Sequence, residues 1–516
     1  MEGYEELPMN NQASRSAYDV VVVGAGIGGL TSGALLAKEG KQVLVVEQED
    51  QPGGLAREFQ FGPYVINPAI HAITGCHSTG PRGPGIINAI LNHLEVQNLC
   101  EFISIDPFYR VQFPGFQMDV PTGREAYLAA HLQHFPEEAD GLHALVALCS
   151  TIFQELSRFP AVLRMRDWVL MPFRYPKIFR YANATLEKVV NSHLSSPRLK
   201  SIYSILYPYL ALPPSRMSFL LWASMMANYI EEGAYYCRGG FRNFANALAE
   251  AISKHGGELV LEARVRKIRA DNGKVRSIVL ENGQEIIAPQ IIANVDPRQV
   301  FQDLLEIDRF PNIYAGKLRK LEPSLSVLGL YLATDLDIHA LGVPKVTVVS
   351  AWDLEDVFAA ARKRDIAAMI VHVPTIVDET LAPPGENVVV IQAFAPSEAA
   401  DLSGAARQKF AEKMLKQAEK ALPGLRDKIT FVAGSLERGH SELPLHKLET
   451  IYGWANTTNQ AGPRRLAQKT PISGLYLAGH WTQPGHGIWT VVLSGISAAR
   501  YVMGKDLSGP IWPLDF

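Results

Sequence analysis

Cysteine is scarce in this 516-residue chain: there are four, Cys76, Cys100, Cys149 and Cys237, all far apart. No C-x-x-C pair occurs, which argues against a zinc ribbon or a dithiol redox centre and fits a reducing, cytoplasmic setting. The fourteen histidines show no ligand-like spacing, so no metal is expected. An excess of one charge is also missing. Lys and Arg number 49 against 52 Asp and Glu, a net charge of −3, so no nucleic-acid partner is expected and an electrostatic partner must meet a local patch. No stretch offers about twenty consecutive apolar residues. Val20–Ala37 comes nearest, but five glycines with Thr31 and Ser32 interrupt it. The first residues, MEGYEELPMNNQASRSA, have neither the basic nor the apolar region of a secretory signal, and 1–17 reads as a disordered lead-in. A G-x-S-x-G elbow, a Walker loop and H-E-x-x-H are absent as well.

What is present is alternation of strand and helix. Tyr18–Val23 is a β-branched apolar run suited to a strand buried on both faces, and Lys41–Glu47 is a second. Between them Leu30, Ala34, Leu35 and Ala37 follow helical spacing up to Gly40, giving a strand–helix–strand crossover of about thirty residues. From Cys100 to Glu231 the pattern reads as mostly helical. Arg242–His255 is a helix stopped by Gly256-Gly257. Short strands follow at Glu258–Glu262, Val265–Ala270, Val275–Leu280 and Glu285–Ala288, with turn signals at Asn272-Gly273 and Asn282-Gly283. Pro289–Asn294, Leu325–Ala333, Asn387–Ala395 and Gly474–Ala478 are further strands, and Gly404–Ala421 and Thr490–Met503 further helices.

Four motifs carry chemistry. Gly24-x-Gly26-x-x-Gly29 leaves a strand and opens a helix. Gly24 permits the tight turn, Gly26 lets backbone approach a pyrophosphate and Gly29 allows close helix–strand packing, while the helix N-terminus offers free N–H groups. Glu47, eighteen residues beyond Gly29, is placed to accept both ribose hydroxyls of an adenosine and disfavours a 2′-phosphate. Together these indicate an adenine dinucleotide. Gln48–Arg57 then adds Gly53-Gly54 and Arg57. Near the C-terminus, GLYLAGH ends at Gly479-His480 and is followed by Pro484-Gly485-His486-Gly487-Ile488-Trp489 before a helix. A helix N-terminus there can stabilise negative charge on a bound ligand. Finally, Arg238-Gly239-Gly240-Phe241 precedes the Arg242–His255 helix, which leads to Glu262–Val265 and Ile268.

The E-x(5)-GG-x-x-R pattern resembles the FAD-dependent family that holds amine oxidases, phytoene desaturases, carotenoid isomerases and Rab GDP-dissociation inhibitors. With the other segments, the chain is similar to the phytoene desaturase, carotenoid cis–trans isomerase and retinol saturase group over roughly its first 80 residues, 230–300 and 450–505. The resemblance implies FAD. It implies an α/β fold, a discontinuous Rossmann-like FAD-binding domain (18–105, 232–300 and 450–516) with an inserted mixed α+β substrate domain (106–231 and 301–449). The cofactor-binding set it implies is Gly24, Gly26, Ile27, Gly28, Gly29, Glu47, Gln48, Gly53, Gly54, Leu55, Arg57, Val265, Gly479, His480, Gly487, Ile488 and Trp489, Val265 acting through its backbone on the adenine. Many members carry Asp or Glu where this chain has His480.

The implied activity is oxidoreduction at C–C and C=C bonds of a long hydrophobic isoprenoid or polyene: desaturation, isomerisation or saturation. Two alternatives stay open, a flavin oxidase or dehydrogenase of another lipophilic substrate and a Rab-inhibitor-like carrier without catalysis. His71, Trp481, His486 and Trp489 sit in or beside the flavin motifs and are the candidates to orient substrate or move a proton. Ser218–Ile230, with two Met, a Trp and a Tyr, is a candidate tunnel wall. With one dinucleotide fingerprint, oxygen or a quinone is the expected electron acceptor. Residues 160–182 carry five basic residues and one acid among aromatics, a composition suited to a membrane interface, so a cytoplasmic protein with peripheral membrane contact is expected.

Overall fold

Five short strands and the helices laid on them place the site. The computed structural model describes residues 12–79, 83–160, 162–306, 312–395, 402, 404–433, 446–448, 450–505 and 509. Strands β1 (Val20–Val23), β2 (Val43–Val46), β3 (Glu258–Val260), β4 (Gln290–Ala293) and β5 (Leu475–Leu477) form a parallel sheet in the order β5-β4-β1-β2-β3. All four valines of β1 are buried, as a strand covered on both faces requires. Strands from both ends of the chain therefore meet in one sheet, with β5 reaching β1 through β4.

Six helices matter here: α1 (Ile27–Lys38), α2 (Met165–Arg174), α3 (Pro176–Tyr181), α4 (Phe219–Glu232), α5 (Arg242–Lys254) and α6 (Ile488–Val502). Helix α1 is the crossover from β1 to β2 and packs between α5 and α6. Small residues set how close it lies: a Cβ at Gly495 of α6 would stand 2.6 Å from the Gly28 carbonyl oxygen.

A second sheet, eight-stranded among the described residues, runs Ile429–Val432, Ser326–Thr334, Asn387–Ala395, Ala368–His372, Lys345–Val349, Tyr109–Phe113 and Phe116–Val120, with His446–Leu448 also paired to Ser326–Thr334. The stretch from Cys100 to Glu231 is mostly helical as expected, but its first part, up to Val120, is strands. Phe102–Ile105 pairs with Ala234–Cys237, and Tyr109–Phe113 and Phe116–Val120 form a hairpin. The reason is period two: Tyr109, Val111 and Phe113 are buried while Arg110 and Gln112 are half-buried. Helices do occupy most of 124–232.

The lead-in is also corrected. Residues 1–11 lie outside the described residues, but Ala13 exchanges hydrogen bonds with the Gln284 side chain (3.1 and 2.9 Å), Ser14 Oγ donates to Glu258 (2.6 Å) and Ala17 bridges to Ile287. Asn272-Gly273 is a hairpin turn as expected, both residues with positive φ (49° and 74°). No helix among the described residues is long and apolar enough to cross a membrane.

Candidate functional site

A cleft of about 560 Å³ runs from the glycine loop to α4. Its first wall is the turn after β1. Helix α1 starts after Gly26 without any side-chain cap, and Gly26 with Ile27 and Gly28 of its first turn line the cleft. Gly53 N donates to the Ala25 carbonyl at 2.8 Å, and a Cβ at Gly54 would stand 3.2 Å from Gly26 Cα. The Gly53-Gly54 segment is thereby docked on the first loop.

Glu47 joins these pieces. One carboxylate oxygen accepts from Ala25 N (2.7 Å), the other from Gln48 N (2.8 Å) and Glu49 N (3.1 Å). Burial pushes its pKa up, against the lowering effect of those N–H groups. Ala263 N donates to the Glu47 carbonyl at 2.8 Å, which brings Val265 alongside. Arg57 pairs with Glu49 (2.8 Å) and lies over Phe59.

The C-terminal segment closes the other side. A Cβ at Gly28 would lie 2.9 Å from Gly479 N and 2.8 Å from Asn294 Oδ1, so the two ends of the chain touch here. Gly479 N donates to Ser494 Oγ at 3.0 Å, and α6 begins at Gly487, again without a side-chain cap. Two helix N-termini thus open on one cleft, a donor set suited to a phosphate-bearing, anionic cofactor. Gly24, Gly26, Ile27, Gly28, Glu47, Gln48, Gly53, Gly54, Leu55, Arg57, Val265, Gly479, His480, Gly487, Ile488 and Trp489 all line it. Gly29 does not, a correction to its place in the cofactor set: its Cβ position is 2.1 Å from the Gly24 carbonyl oxygen and 3.2 Å from Val22, so it is kept small by packing.

The four candidate catalytic residues line the cleft too, in unequal situations. His486 Nε2 donates to the Tyr209 carbonyl (2.8 Å), and its Nδ1 accepts from Asn456 (3.3 Å). This fixes a neutral tautomer with both nitrogens engaged, so His486 positions the turn. Trp481 packs edge-on against Trp454 at 4.8 Å and under Arg298. Trp489 lies against Gly75, where a Cβ would come within 2.9 Å of the indole. Both ring nitrogens of His71 are enclosed without a hydrogen bond.

Sequence reasoning missed several neighbours. Arg465 is fully buried and donates to the carbonyls of Tyr452 (2.9 Å), Trp454 (3.2 Å) and His480 (2.6 Å) and to Asn456 Oδ1 (3.2 Å). It clamps the loop under His480, and burial pulls its pKa down to about 9. Asn294 follows β4, wedged between Gly26, Gly28 and Gly479. On α4, Leu221, Ser224, Met225, Asn228 and Tyr229 line the cleft, whereas Trp222 and Met226, expected at the wall, are in the core. Tyr209 and Tyr452 complete the wall.

Burial holds His71, His480 and His486 down to about 3 and His131 to about 4, and keeps His372 well below its ordinary value. A buried neutral histidine stabilises the fold fully above the unfolded pKa near 6.5, and that stability is lost as pH falls below it. Glu47 and Glu58, both raised and Glu58 to about 7, act in the opposite sense, two groups against five. Stability is therefore expected to be flat near pH 7–8 and to fall steeply from about pH 6.5 to 4, by about 1.4 kcal/mol per pH unit for each uncompensated histidine, with the melting temperature falling alongside. Thermal unfolding across that range checks it, and His131→Gln should make the slope shallower by about one proton.

The chain matches the family described as "Flavin containing amine oxidoreductase" over residues 27–503. It is 25% identical to prolycopene isomerase, chloroplastic, of Arabidopsis thaliana over 94% of this chain and 83% of that one. It is 26% identical to phytoene dehydrogenase of Streptomyces griseus, covering 95% and 96%. Among solved structures it is similar to an oxidoreductase from Methanosarcina mazei, with a TM-score of 0.63 at 19% identity, covering 94% of this chain and all of that one.

Proposed function

The chain belongs to the flavin containing amine oxidoreductase family and is an FAD-dependent oxidoreductase, and from that premise we propose that it acts on C–C or C=C bonds of a long apolar isoprenoid or polyene. The observation that carries this reading is the character of the cleft beyond the glycine loops. Leu221, Met225 and Tyr229 of α4 and Ile70 face it, while its lining carboxylates are Glu47, Glu49 and Asp296, all on segments that follow the parallel strands. An ammonium substrate would lack an acidic partner on the α4 side. The similarity to a prolycopene isomerase and a phytoene dehydrogenase along nearly the whole chain supports the same class.

The bound flavin supplies hydride transfer at a carbon. The chain supplies the rest. The first turns of α1 and α6 bind the anionic parts of the cofactor, Glu47 takes the ribose and the backbone at Val265 the adenine, the Arg465 clamp fixes the loop of His480, and α4 with Tyr209 and Tyr452 orients the chain and excludes water. The parallel sheet with 18–105, 232–300 and 450–516 forms the cofactor domain, and 106–231 with 301–449 the substrate domain. The pairing of Leu305–Glu306 with Val265–Asp271 supports placing the boundary after 300 a few residues later. Oxygen or a quinone accepts the electrons when the reaction is not redox-neutral.

The substrate is admitted from a membrane surface at α2 and α3. Met165, Trp168, Val169, Phe173 and Phe179 are exposed there, Phe173 by 82%, among Arg164, Arg166, Arg174, Lys177 and Arg180. Helix α3 packs against α4, with Tyr181 and Phe219 rings 5.5 Å apart, so this surface lies behind the wall of the cleft. Anaerobic incubation of the holoprotein with a carotenoid, a retinoid and a non-isoprenoid lipid tests the reaction class. Flavin bleaching with a polyene marks dehydrogenation, and an altered polyene without net reduction marks isomerisation. Turnover of the lipid alone would transfer the assignment to another lipophilic substrate.

A further inference from the structure

Behind Ile70–Ala72, which lines the cleft, lies a cavity of about 10 Å³ whose wall includes His71, Lys345 and His372. Lys345 is 3% exposed and His372 2%. The His71 and His372 rings stack with centroids 3.6 Å apart and planes at 16°. Neither His71 nitrogen, nor Nε2 of His372, makes a hydrogen bond. Lys345 Nζ donates to the Tyr209 hydroxyl at 2.9 Å and stands over the rings of Phe108, Tyr109 and Tyr209 at 3.8, 4.6 and 4.7 Å. Among the described residues no carboxylate pairs with this lysine.

Buried basic groups are ordinarily matched by acids, because an unmatched charge in a dry interior is costly. Three basic side chains gathered without an acid are half of a charge arrangement. Lys345 also sets the direction of the Tyr209 hydroxyl. Its oxygen accepts from Lys345 Nζ, so its hydrogen is left to donate elsewhere, and Tyr209 lines the cleft. Once a bound anion favours protonated Lys345, the phenol beside the ammonium becomes a stronger donor. A pure hydrocarbon has no use for such a donor.

We propose that Tyr209, backed by Lys345 and flanked by His71, forms a subsite for a carboxylate at the end of an otherwise apolar substrate chain. This rests on the reading of the cleft as a polyene site. The carboxylate accepts from the Tyr209 hydroxyl. Its charge is balanced by Lys345 and by His71, whose ring stacks on that of His372. In the free protein burial keeps Lys345 and both histidines low, and Lys345 lowers the histidines further. The other groups facing the cluster are Tyr109, Tyr209, Tyr229 and Tyr236, all raised by burial, Tyr452 beside Tyr209, and the Gln392 amide; Glu58 and Asp378 act on Tyr236, not on the bases. A bound carboxylate favours the protonated bases, so binding takes up about one proton.

Retinoate, methyl retinoate and retinol share one polyene and differ only at the end group. Their binding to the FAD-loaded protein at pH 7 is followed by flavin absorbance and tryptophan fluorescence, and proton uptake by calorimetry in two buffers of different ionisation heat. Retinoate is expected to bind at least about tenfold tighter than the other two, with about one proton taken up. Tyr209→Phe, which keeps the ring over Lys345, and Lys345→Met should each abolish the preference. Tyr209→Phe decides the point alone where the lysine variant is unstable. Equal binding of all three ligands, or a retinoate preference that survives Tyr209→Phe, overturns the subsite and leaves the polyene reading standing. Binding of none of the three overturns both.

Discussion

Replacing Gly28 by valine is expected to give a folded but colourless protein. The residue sits in the first turn of α1, where its φ is ordinary, so the effect is steric. Its Cβ would meet Asn294 Oδ1 at 2.8 Å, Gly479 N at 2.9 Å and Gly479 Cα at 3.0 Å. Two of these are backbone, which cannot rotate away. The start of α1 must move off the segment that follows β5, and the N–H groups meant for the cofactor move with it. Overpacking of this kind costs about 1–3 kcal/mol. Flavin content is then expected to drop below about a tenth of one FAD per chain, with a melting temperature a few degrees lower. Gly40→Ala is the control: its φ is +77° with nothing within 4 Å, so it strains the C-terminus of α1 without touching the cleft and should retain flavin. Full flavin occupancy in the valine variant would sever the two chain ends as joint walls of one cofactor site.

The second large effect lies on the outside. Trp168→Glu with Phe173→Glu removes two side chains exposed by 54% and 82% on α2. Burying an aromatic side chain in the lipid interface contributes about 1.5–3 kcal/mol, so losing two is expected to weaken vesicle binding by a hundredfold or more. The flanking arginines and lysine add about 1 kcal/mol each on anionic lipid, so native binding should also weaken with salt. Co-sedimentation with vesicles containing about a third anionic phospholipid reads the affinity. Turnover of detergent-dispersed substrate should be unchanged in the variant while turnover of vesicle-borne substrate falls. Absence of native binding to such vesicles would remove the membrane from the account.

The cofactor half of the fold was open to reading because its determinants are local. The valines of β1, the glycines that follow and the apolar spacing of α1 lie within twenty residues, and strands buried on both faces declare themselves as unbroken apolar runs. Contacts across the chain were not legible. Nothing in the sequence says that Gly479 stands against Gly28, and no motif announces Asn294 between them. The pairing of Lys345 with Tyr209 and of His71 with His372 joins segments some 140 and 300 residues apart through single side chains without a repeat or spacing. Helix α4 failed differently. It is apolar nearly all round, so composition could not tell that Met225 and Tyr229 face the cleft while Trp222 and Met226 turn to the core. The strand Tyr109–Phe113 did carry its signal, strict alternation, masked by helical pattern on the chain beyond it.

The most direct test of an FAD-dependent enzyme of polyene carbon–carbon bonds compares two preparations side by side. The FAD-loaded native protein and the Gly28→Val apoprotein are incubated with the same polyenes under nitrogen, and the products are resolved by chromatography. The account predicts a new polyene, changed in saturation or in double-bond geometry, from the native protein and none from the variant. Equal conversion by both, or no conversion of any polyene by a fully flavinylated native protein, would contradict it.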